Sequence, residues 1–389
     1  MKKDNTKKNI LVWSPFTSKV GTVQNIINNS YSLLKYSRYN QFNISLINVF
    51  GEWDNYIEEI TKKKINVYNF KFLRFIKKWN KIGFIKSRIL YLMIFFFSFF
   101  PLFTLIKKKK PDYLIIHLIT SLPLLIFSFF NFKTKLILHV AGHPKLTFFR
   151  KTILRFASKN IYRIICPSHE LKALFSYNNI FTEQQITVIE DSHLEIKKIQ
   201  NLKKVKFSDD FFNEKKILIS IGRMTKQKDY SFLIKNFKKL TLTYDDIKLL
   251  IIGGGEEKTT LENLVEQLKI KDKVKLINYD SNIYKYLTKS QFYISTSIWE
   301  GSSLAMVDAA FIGIPVLCSD CPSGRKEFIG KNERGFLYRQ GDNEDFLKKF
   351  SIMYSMQPKE TIAILINAKK ETKKFTIFKN FIKLNEIFN

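Results

Sequence analysis

The chain has 389 residues, which exceeds one ordinary core and predicts two domains of roughly 190 residues each. Its apolar fraction of 45% is that of a globular protein and argues against a disordered one. Lys and Arg total 65 against 34 Asp and Glu, and the net charge of +31 calls for an anionic partner: nucleic acid, anionic lipid or a phosphorylated substrate. Three cysteines cannot form a disulfide framework and no secretory signal opens the chain, so we expect a protein of the reducing cytoplasm.

The amino-terminal half alternates predicted strands with predicted helices. Residues 9–13 and 42–49 are buried strands by pattern, and residues 23–36 between them are a helix. A strand, a loop with glycine and then a helix are typical of the start of a doubly wound α/β sheet. The loop holds Lys19 and Gly21 but no G-x-G-x-x-G, so it is not a dinucleotide fingerprint.

A long apolar segment lies inside the most basic part of the chain. Residues 62–110 hold fourteen Lys or Arg and no Asp or Glu, and residues 89–106 within them are apolar or small, at the lower edge of transmembrane length. The segment could span a membrane, lie buried in the sheet domain with Pro101 bending it, or lie in a membrane interface with its basic flanks on anionic headgroups. Basic clusters at both ends disfavour the span, so we favour the interfacial helix, followed by the buried one. The apolar stretch 122–132 has the same alternatives and the same preferred one.

Nucleic acid is the other obvious partner for such a charge, but we do not expect it. Basic residues interleaved with single aromatic rings can supply phosphate contacts and stacking platforms. The aromatic residues here are mostly Phe in continuous apolar runs, and the chain shows no helix-turn-helix, zinc-finger or RRM signature.

The predicted strand at residues 135–140 leads into Ala-Gly-His-Pro, which places His143 in the following loop. His139 lies on the strand itself, where its side chain is expected to pack into the protein. A solitary His is more often structural than catalytic, so His143 is a candidate with a structural role as its alternative. After a last predicted strand at residues 186–189 the sequence turns polar and aperiodic, as expected of a linker between domains.

The second half begins with a buried strand, residues 216–220, that runs directly into Gly222, Arg223 and, shortly after, Lys228. Gly permits a tight turn, Arg offers a forked set of donors and Lys adds a point charge, a combination that suits a diphosphate. Without other support, such Arg and Lys residues would face solvent. The next predicted strand ends in three glycines around Gly254, where a backbone can approach a nucleotide or simply turn.

The most informative stretch follows a buried strand and is predicted to form a loop, a helix and another strand. Glu300 opens the predicted helix, which continues through Asp308, and the N–H groups near Gly301, Ser302 and Ser303 suit a phosphate. The two carboxylates, about two helical turns apart, could face one cleft and hold the hydroxyls of a ribose or a sugar. A surface βαβ unit with a solvated Glu is the alternative.

These motifs together resemble the donor-binding half of glycosyltransferase family 4, retaining enzymes that use nucleotide-sugars. The family signature is E-G-x-x-x-x-x-x-E, then G-x-P-V, then D-x-x-x-G-x-x-E, preceded by G-R-x with a nearby Lys. Asp308 stands where the family has Glu, which keeps the charge but shortens the side chain. The matching residues of the later motif are Glu300, Gly301, Asp308, Gly313, Pro315, Val316, Asp320, Gly324 and Glu327.

The resemblance implies a GT-B fold, an α/β architecture of two doubly wound Rossmann-like domains facing a central cleft. Residues 1–195 are then the acceptor-binding domain with a membrane-facing segment, and residues 196–215 a linker. Residues 216–370 are the nucleotide-sugar-binding domain, and residues 371–389 a helix that crosses back to the first domain.

The resemblance also implies the roles of the candidate residues. Arg223 and Lys228 neutralise the diphosphate, Glu300 holds the sugar ring and Asp308 the ribose. The catalytic set is Glu300, Arg223, Lys228 and His143, and the acceptor side has Lys19 and Gly21. The donor-binding set is Gly222, Arg223, Lys228, Gly254, Glu300, Gly301, Ser302, Ser303 and Asp308. No metal and no cofactor are implied beyond the NDP-sugar, expected to be UDP-linked, as co-substrate.

The implied acceptor is a lipid-linked saccharide or polysaccharide at an anionic membrane surface, on the inner face of the cell membrane. The D-C-P-S-G sequence at residues 320–324 resembles family members that build lipopolysaccharide or capsule. Two rival functions stay open at this point. One is an inactive GT-B protein that binds nucleotide-sugar without transfer, favoured if Asp308 is too short to reach the ribose. The other is a basic membrane-binding or RNA-binding scaffold.

Overall fold

The structure is a computed structural model, and it describes residues 7–16, 21–70, 84–117, 121–142, 144, 146–213, 215–322 and 324–389, with backbone only at 39, 84–88 and 121. The chain divides into two compact units. The first unit contains residues 1–193 together with 377–389, and the second contains residues 194–376. Residues 196–215, the predicted linker, contain a short helix and belong to the second unit.

The strands follow the apolar runs that the sequence presents. In chain order they are β1 Lys8–Trp13, β2 Phe42–Asn48, β3 Asn66–Asn69, β4 Tyr113–His117, β5 Lys135–His139, β6 Ile161–Cys166, β7 Ile186–Val188, β8 Lys216–Ile221, β9 Ile247–Ile252, β10 Val274–Ile277, β11 Phe292–Ser295, β12 Val316–Ser319 and β13 Phe336–Tyr338.

The helices fill the intervals between strands. In chain order they are α1 Gly21–Tyr36, α2 Ile57–Lys62, α3 Phe84–Lys109, α4 Ser121–Phe129, α5 Phe148–Ser158, α6 His169–Tyr177, α7 Ile196–Leu202, α8 Tyr230–Leu240, α9 Lys258–Gln267, α10 Tyr284–Leu287, α11 Leu304–Ile312, α12 Arg325–Ile329, α13 Asn343–Tyr354, α14 Pro358–Thr372 and α15 Ile377–Phe388.

Each unit is built on one parallel sheet. Within the described residues, the first sheet has the strand order β3-β2-β1-β4-β5-β6-β7 and the second has β10-β9-β8-β11-β12-β13. Every strand pair in both sheets is parallel. In both sheets the order reverses at the first strand, β1 or β8, so the predicted doubly wound α/β fold is confirmed.

Helices cover both faces of each sheet. Along β1, Ile10 and Val12 join one apolar cluster while Leu11 and Trp13 join another, because successive side chains of a strand point to opposite faces. Along β8, Leu218 lies in one cluster and its neighbours Ile217 and Ile219 in the other. A strand buried on both faces reads as a continuous apolar run, which is why the strands were predictable.

The last helix returns to the first unit. Helix α15 packs on α1, where the Ser32 hydroxyl donates a hydrogen bond of 2.9 Å to Asn380 Oδ1. Phe388 is fully buried beside Phe42 and Tyr113, with ring centroids 5.7 and 4.8 Å away. These buried contacts bring the end of the chain into the core of the first unit.

The Phe-rich helix α3 is buried on one side only. Leu90, Ile94 and Leu102 are nearly inaccessible in the core of the first unit, whereas Phe96 is 67% exposed and Phe100 is 74% exposed. Within the described residues, this is the one helix long and apolar enough to cross a membrane by length and composition. The helix is therefore neither fully buried nor detached from the fold.

Candidate active site

The candidate site of the second unit lies at the carboxyl ends of β8 and β11. These strands are neighbours in the sheet, and β9 lies on the other side of β8. The loops that follow β8 and β11 therefore diverge from the point at which the strand order reverses. In open parallel sheets, this point is where ligands bind.

The loop after β8 is pressed against the glycine loop after β9. The Gly222 and Met224 N–H groups donate hydrogen bonds of 2.9 Å to the carbonyls of Ile252 and Gly254. A β-carbon at Gly253 would stand 2.8 Å from the carbonyl carbon of Gly222 and closer still to its oxygen. Glycine at 253 is therefore required for this close approach of two backbones.

The same loop is also tied to the loop after β11, 70 or so residues further along. The Ile298 N–H donates to the Gln227 carbonyl at 2.8 Å, and the Thr296 hydroxyl donates to the Lys228 carbonyl at 2.8 Å. The Gln227 side chain in turn donates to the Trp299 carbonyl at 2.8 Å. These bonds bring the two motifs that carry the sequence prediction into one place.

Glu300 and Lys228 form an ion pair at this point. The Lys228 ammonium donates to Glu300 Oε1, and the Ser297 hydroxyl donates to the same oxygen at 2.7 Å. Glu300 is 8% exposed. The predicted proximity of the cation and the acid is present, but Lys228 is already neutralised by Glu300.

A second cation completes the cluster. Arg325 Nη2 donates to Glu300 Oε1 at 3.2 Å, and its side chain is fully buried. Lys228, Ser297 and Arg325 all donate to Oε1, and no described residue donates a hydrogen bond to Glu300 Oε2. Oε2 is not fully buried either, since it is absent from the buried polar atoms without a partner in the described part of the chain. Oε2 is the atom available to a ligand hydroxyl.

The charges around Glu300 decide its ionisation. Burial raises the pKa of the carboxyl, but the charges of Lys228 and Arg325 and the hydrogen bonds from Lys228 and Ser297 outweigh burial and hold its pKa below 4.5. Glu300 is thus an anion at neutral pH and can accept hydrogen bonds only.

Arg325 is the functional residue that sequence reasoning missed. It stands between Gly324 and Glu327, which the family signature includes, but it is not itself part of the signature. It is the first residue of α12, a helix end that disfavours a cation. A basic residue at such a position was the available signal that a fixed acidic or polar partner lies nearby.

The helix expected to begin at Glu300 begins four residues later. Helix α11 starts at Leu304, because the Leu304 N–H donates to the Ser302 carbonyl at 2.9 Å and closes a turn ahead of the helix. Glu300 therefore lies in the loop, and Gly301, Ser302 and Ser303 lie between it and the helix.

Asp308 lies inside α11 and is 2% exposed. Its Oδ1 accepts a hydrogen bond of 2.7 Å from the Tyr284 hydroxyl, and both burial and this carboxylate raise the pKa of Tyr284. A donor from α10 thus holds the carboxylate in place. Its predicted contact with a ribose stays a prediction.

The other predicted site residues have different placements. Arg223 is exposed, and a β-carbon at Gly222 would stand 3.1 Å from Lys228 Nζ, so the Gly-Arg turn adjoins the Lys228 ammonium. Gly254 lies in the glycine loop with open space around it. Lys19 and His143 lie outside the described residues. Gly21 is the first residue of α1, in the first unit.

His139 is buried, as expected of a strand residue. Its ring lies 4.6 Å from that of His117 on the neighbouring strand, and burial lowers the pKa of His139 to about 4. Within the described ranges no three His, Cys, Asp or Glu side chains are grouped as a metal site would require. All three cysteines are free and buried.

Comparison with known proteins identifies the family. Residues 202–372 match the family described as glycosyl transferases group 1. The match lies within the second unit, which belongs to this family, and covers less than half of the chain. The protein is a glycosyltransferase of the retaining, GT-B type and uses a nucleotide-sugar as donor.

Several relatives of this glycosyltransferase span most or part of it. An uncharacterized glycosyltransferase of Methanocaldococcus jannaschii is 27% identical over 307 residues, 71% of this chain and 74% of the relative. The N-acetylgalactosamine-N,N'-diacetylbacillosaminyl-diphospho-undecaprenol 4-alpha-N-acetylgalactosaminyltransferase of Campylobacter jejuni is 29% identical over 220 residues, 56% of this chain and 59% of that enzyme. The crystal structure of Anabaena HepE in complex with UDP covers 98% of this chain and 99% of its own, with a TM-score of 0.70 and 16% identity, a likeness of fold.

Proposed function

We propose that the protein transfers a sugar, with retention of configuration, from a UDP-sugar to a hydroxyl of a lipid-linked saccharide. In this proposal the reaction takes place at the inner face of the cell membrane and serves the synthesis of a surface glycan such as lipopolysaccharide or capsule. The observation that carries the proposal is the Lys228–Glu300–Arg325 cluster at the reversal point of the second sheet. The structural relative that holds UDP and the relative named for a diphospho-undecaprenol substrate support the donor and the acceptor.

The donor diphosphate is assigned to the cationic side of the site. Lys228 and the exposed Arg223 stand on one loop. Ser303, which precedes α11, accepts a hydrogen bond from the same Arg325 that reaches Glu300, so the partial positive charge of the α11 N-terminus adds to these cations. Two cations and a helix terminus stabilise the negative charge that collects on the leaving nucleoside diphosphate as the glycosidic bond breaks. Independence from metal stays a prediction of the resemblance.

The sugar and ribose are assigned to the acidic side. Glu300 Oε2 accepts a hydrogen bond from a hydroxyl of the sugar ring, while Oε1 stays held by protein donors. Asp308 accepts from the ribose hydroxyls. The acceptor hydroxyl then attacks the anomeric carbon from the face that the diphosphate leaves, and the configuration is retained. His143 is proposed as a further catalytic residue, and Lys19 and Gly21 are proposed to contribute on the acceptor side.

The membrane is proposed as the place of reaction because a lipid-linked acceptor has its polar head there. Helices α3, α4 and α5 pack in sequence along the first unit and expose phenylalanines. Phe96, Phe129 and Phe149 are 67%, 67% and 78% exposed, and Phe129 lies 6.1 Å from Phe156 on the next helix. Residues 107–110, at the carboxyl end of α3, are four exposed lysines. An apolar face flanked by lysines suits an anionic bilayer surface.

The structure of α3 argues for a helix that lies on the membrane and not across it. Leu102, Leu105 and Ile106 are at most 4% exposed and pack in the core beside β4. Extraction of the helix into a bilayer would move these side chains into lipid, but it would open the apolar core that they cover to water, at a cost of about 1.5 to 3 kcal/mol for each large side chain left exposed. The exposed side, Leu92, Phe96 and Phe100, recurs every four residues and forms one face.

A donor panel tests the enzymatic half of the proposal. The purified protein is incubated with UDP-, GDP- and ADP-sugars and a short-chain polyprenyl-diphosphate saccharide, and released nucleotide and the anomeric configuration of the product are measured. We expect UDP release and a product of the donor's configuration. Release of GDP or ADP alone, or an inverted product, contradicts the proposal, and donor binding without turnover over the whole panel favours the inactive GT-B alternative.

Vesicle co-sedimentation tests the membrane half. Wild type is expected to bind vesicles that contain phosphatidylglycerol and to bind pure phosphatidylcholine weakly. The double variant Phe96→Ser, Phe100→Ser is expected to lose binding, and Leu242→Ser is the matched control because Leu242 is 78% exposed in the second unit. Equal binding of all three proteins contradicts the assignment.

A further inference from the structure

We propose that Arg325 is a positioning residue of the donor site: it keeps the Glu300 carboxylate compensated and in place, so that Lys228 can leave Glu300 and bind the donor diphosphate. The inference rests on the proposed donor site and extends it to a residue outside the family signature. Glu300 and Lys228 then have separate tasks once the donor is bound, although they pair with each other in the structure.

The first observation is the number of groups that hold Arg325. Its Nε donates to Ser303 Oγ at 2.6 Å, its Nη2 to Ser295 Oγ at 2.6 Å and its Nη1 to Ser319 Oγ at 2.8 Å. These serines lie at the end of β11, ahead of α11 and at the end of β12. A buried guanidinium needs such partners to offset the loss of hydration, and here they fix the fork in one orientation.

The second observation is that Lys228 and Glu300 differ in access. The Lys228 side chain is 19% exposed, the Glu300 side chain is 9% exposed and that of Arg325 is 0% exposed. Lys228 is therefore the member of the cluster that can move toward a ligand, and Arg325 is the member that cannot.

The charge balance gives Arg325 its task. A lysine that is neutralised by Glu300 does not neutralise a diphosphate, so the pair must part when the donor binds. Parting would leave an uncompensated buried carboxylate, which is strongly unfavourable. With Arg325 at 3.2 Å and the Ser297 hydroxyl at 2.7 Å, Glu300 keeps two donors after Lys228 leaves.

Lysine at position 325 would serve this task poorly. The guanidinium reaches Glu300 and the end of β11 with Nη2, while Nη1 holds the end of β12 and Nε holds Ser303 ahead of α11. An ammonium cannot span this arrangement. A structural role alone, in which Arg325 ties the two strand ends to α11, makes a different prediction about Glu300. In that case neutralising Glu300 does nothing for a variant that lacks Arg325.

The test is isothermal titration of UDP into wild type, Arg325→Met, Glu300→Gln and the double variant. UDP has no sugar, so the contact between Glu300 and the sugar ring does not enter. We expect Arg325→Met to weaken UDP binding by ~10-fold or more, because Lys228 becomes the main partner of the carboxylate. Glu300→Gln should bind UDP as well as wild type or better, and the double variant should return toward wild-type affinity.

The double variant decides the outcome. If it binds UDP as weakly as Arg325→Met, Arg325 is only a structural tie and the proposal is wrong. Lys326→Met is the control, since Lys326 is the exposed neighbour on the same helix and its loss should leave UDP affinity unchanged. Circular dichroism checks that each variant folds. If Arg325→Met does not fold, Arg325→Lys takes its place, and adding Glu300→Gln to Arg325→Lys should again restore the affinity for UDP.

The series also separates this proposal from the proposed donor. If wild type binds GDP or ADP and not UDP, the UDP assignment fails. The four proteins are then compared with the nucleoside diphosphate that does bind, and the recovery in the double variant still supports or refutes the role of Arg325.

Discussion

The close approach of two loops at Gly253 makes a sharp prediction for Gly253→Ala. The added β-carbon would stand 2.8 Å from the Gly222 carbonyl carbon, where carbon atoms pack best at about 3.5 Å, so the loops must part by at least ~0.7 Å. The φ angle of 152° at this position adds strain for any residue with a side chain. Overpacking of this kind costs about 1 to 3 kcal/mol and the strained backbone a similar amount.

We therefore expect Gly253→Ala to lower the free energy of unfolding by about 4 kcal/mol, which corresponds to a drop in Tm of roughly 10 °C for a unit of this size. Separation of the loops also moves the Gly222–Arg223 turn, so KM for the donor should rise. Gly254→Ala is the control for stability, because nothing lies within 4 Å of a β-carbon there. Urea unfolding measures both variants, and a Gly253→Ala protein within about 0.5 kcal/mol of wild type would refute the reasoning.

Three further predictions concern buried polar groups. Tyr284→Phe removes the donor of a 2.7 Å hydrogen bond to the buried Asp308 and should cost about 2 kcal/mol in urea unfolding; no measurable loss would contradict the pairing. Burial raises the pKa of Glu52 from 4.5 to about 7, although hydrogen bonds from the Phe50 and Val49 N–H groups oppose this shift. The free energy of unfolding of wild type should therefore fall by about 3 kcal/mol as pH rises from 4.5 through 7, whereas that of Glu52→Gln should not. Equal pH slopes for the two proteins would show that Glu52 is not responsible. The pKa of Glu300 is lowered, so the stability that its charge contributes is present above pH 4.5 and is lost as pH falls further. Glu300→Gln should therefore lose less stability than wild type when the pH of urea unfolding is lowered below 4.5. An equal loss in the two proteins would count against the ion pair.

Much of the fold could be predicted from the sequence because the strands are buried on both faces. Residues 216–220 were predicted as a strand from their apolar run, and the structure extends this strand by one residue to β8. The start of α11 was predicted four residues too early, because a turn closed between Ser302 and Leu304 has the same composition as a first helical turn.

The contacts of the site were less predictable than its members. Lys228 and Glu300 were expected at one donor, but their direct pairing over 72 residues of sequence depends on the alignment of β8 with β11. The partners of Arg325 are spread from Ser295 to Cys321, so no short motif contains them. The half-exposed state of α3 was also undecidable, because a helix that is apolar all round carries no periodicity to mark its buried side.

The affinity for UDP of wild type and Lys228→Met tests most directly whether the cluster at the ends of β8 and β11 is the donor site. Lys226→Met is the matched control, since Lys226 is an exposed lysine of the same loop. Isothermal titration should show binding that is at least ~10-fold weaker for Lys228→Met and unchanged for Lys226→Met. Equal affinity of Lys228→Met and wild type would contradict the assignment.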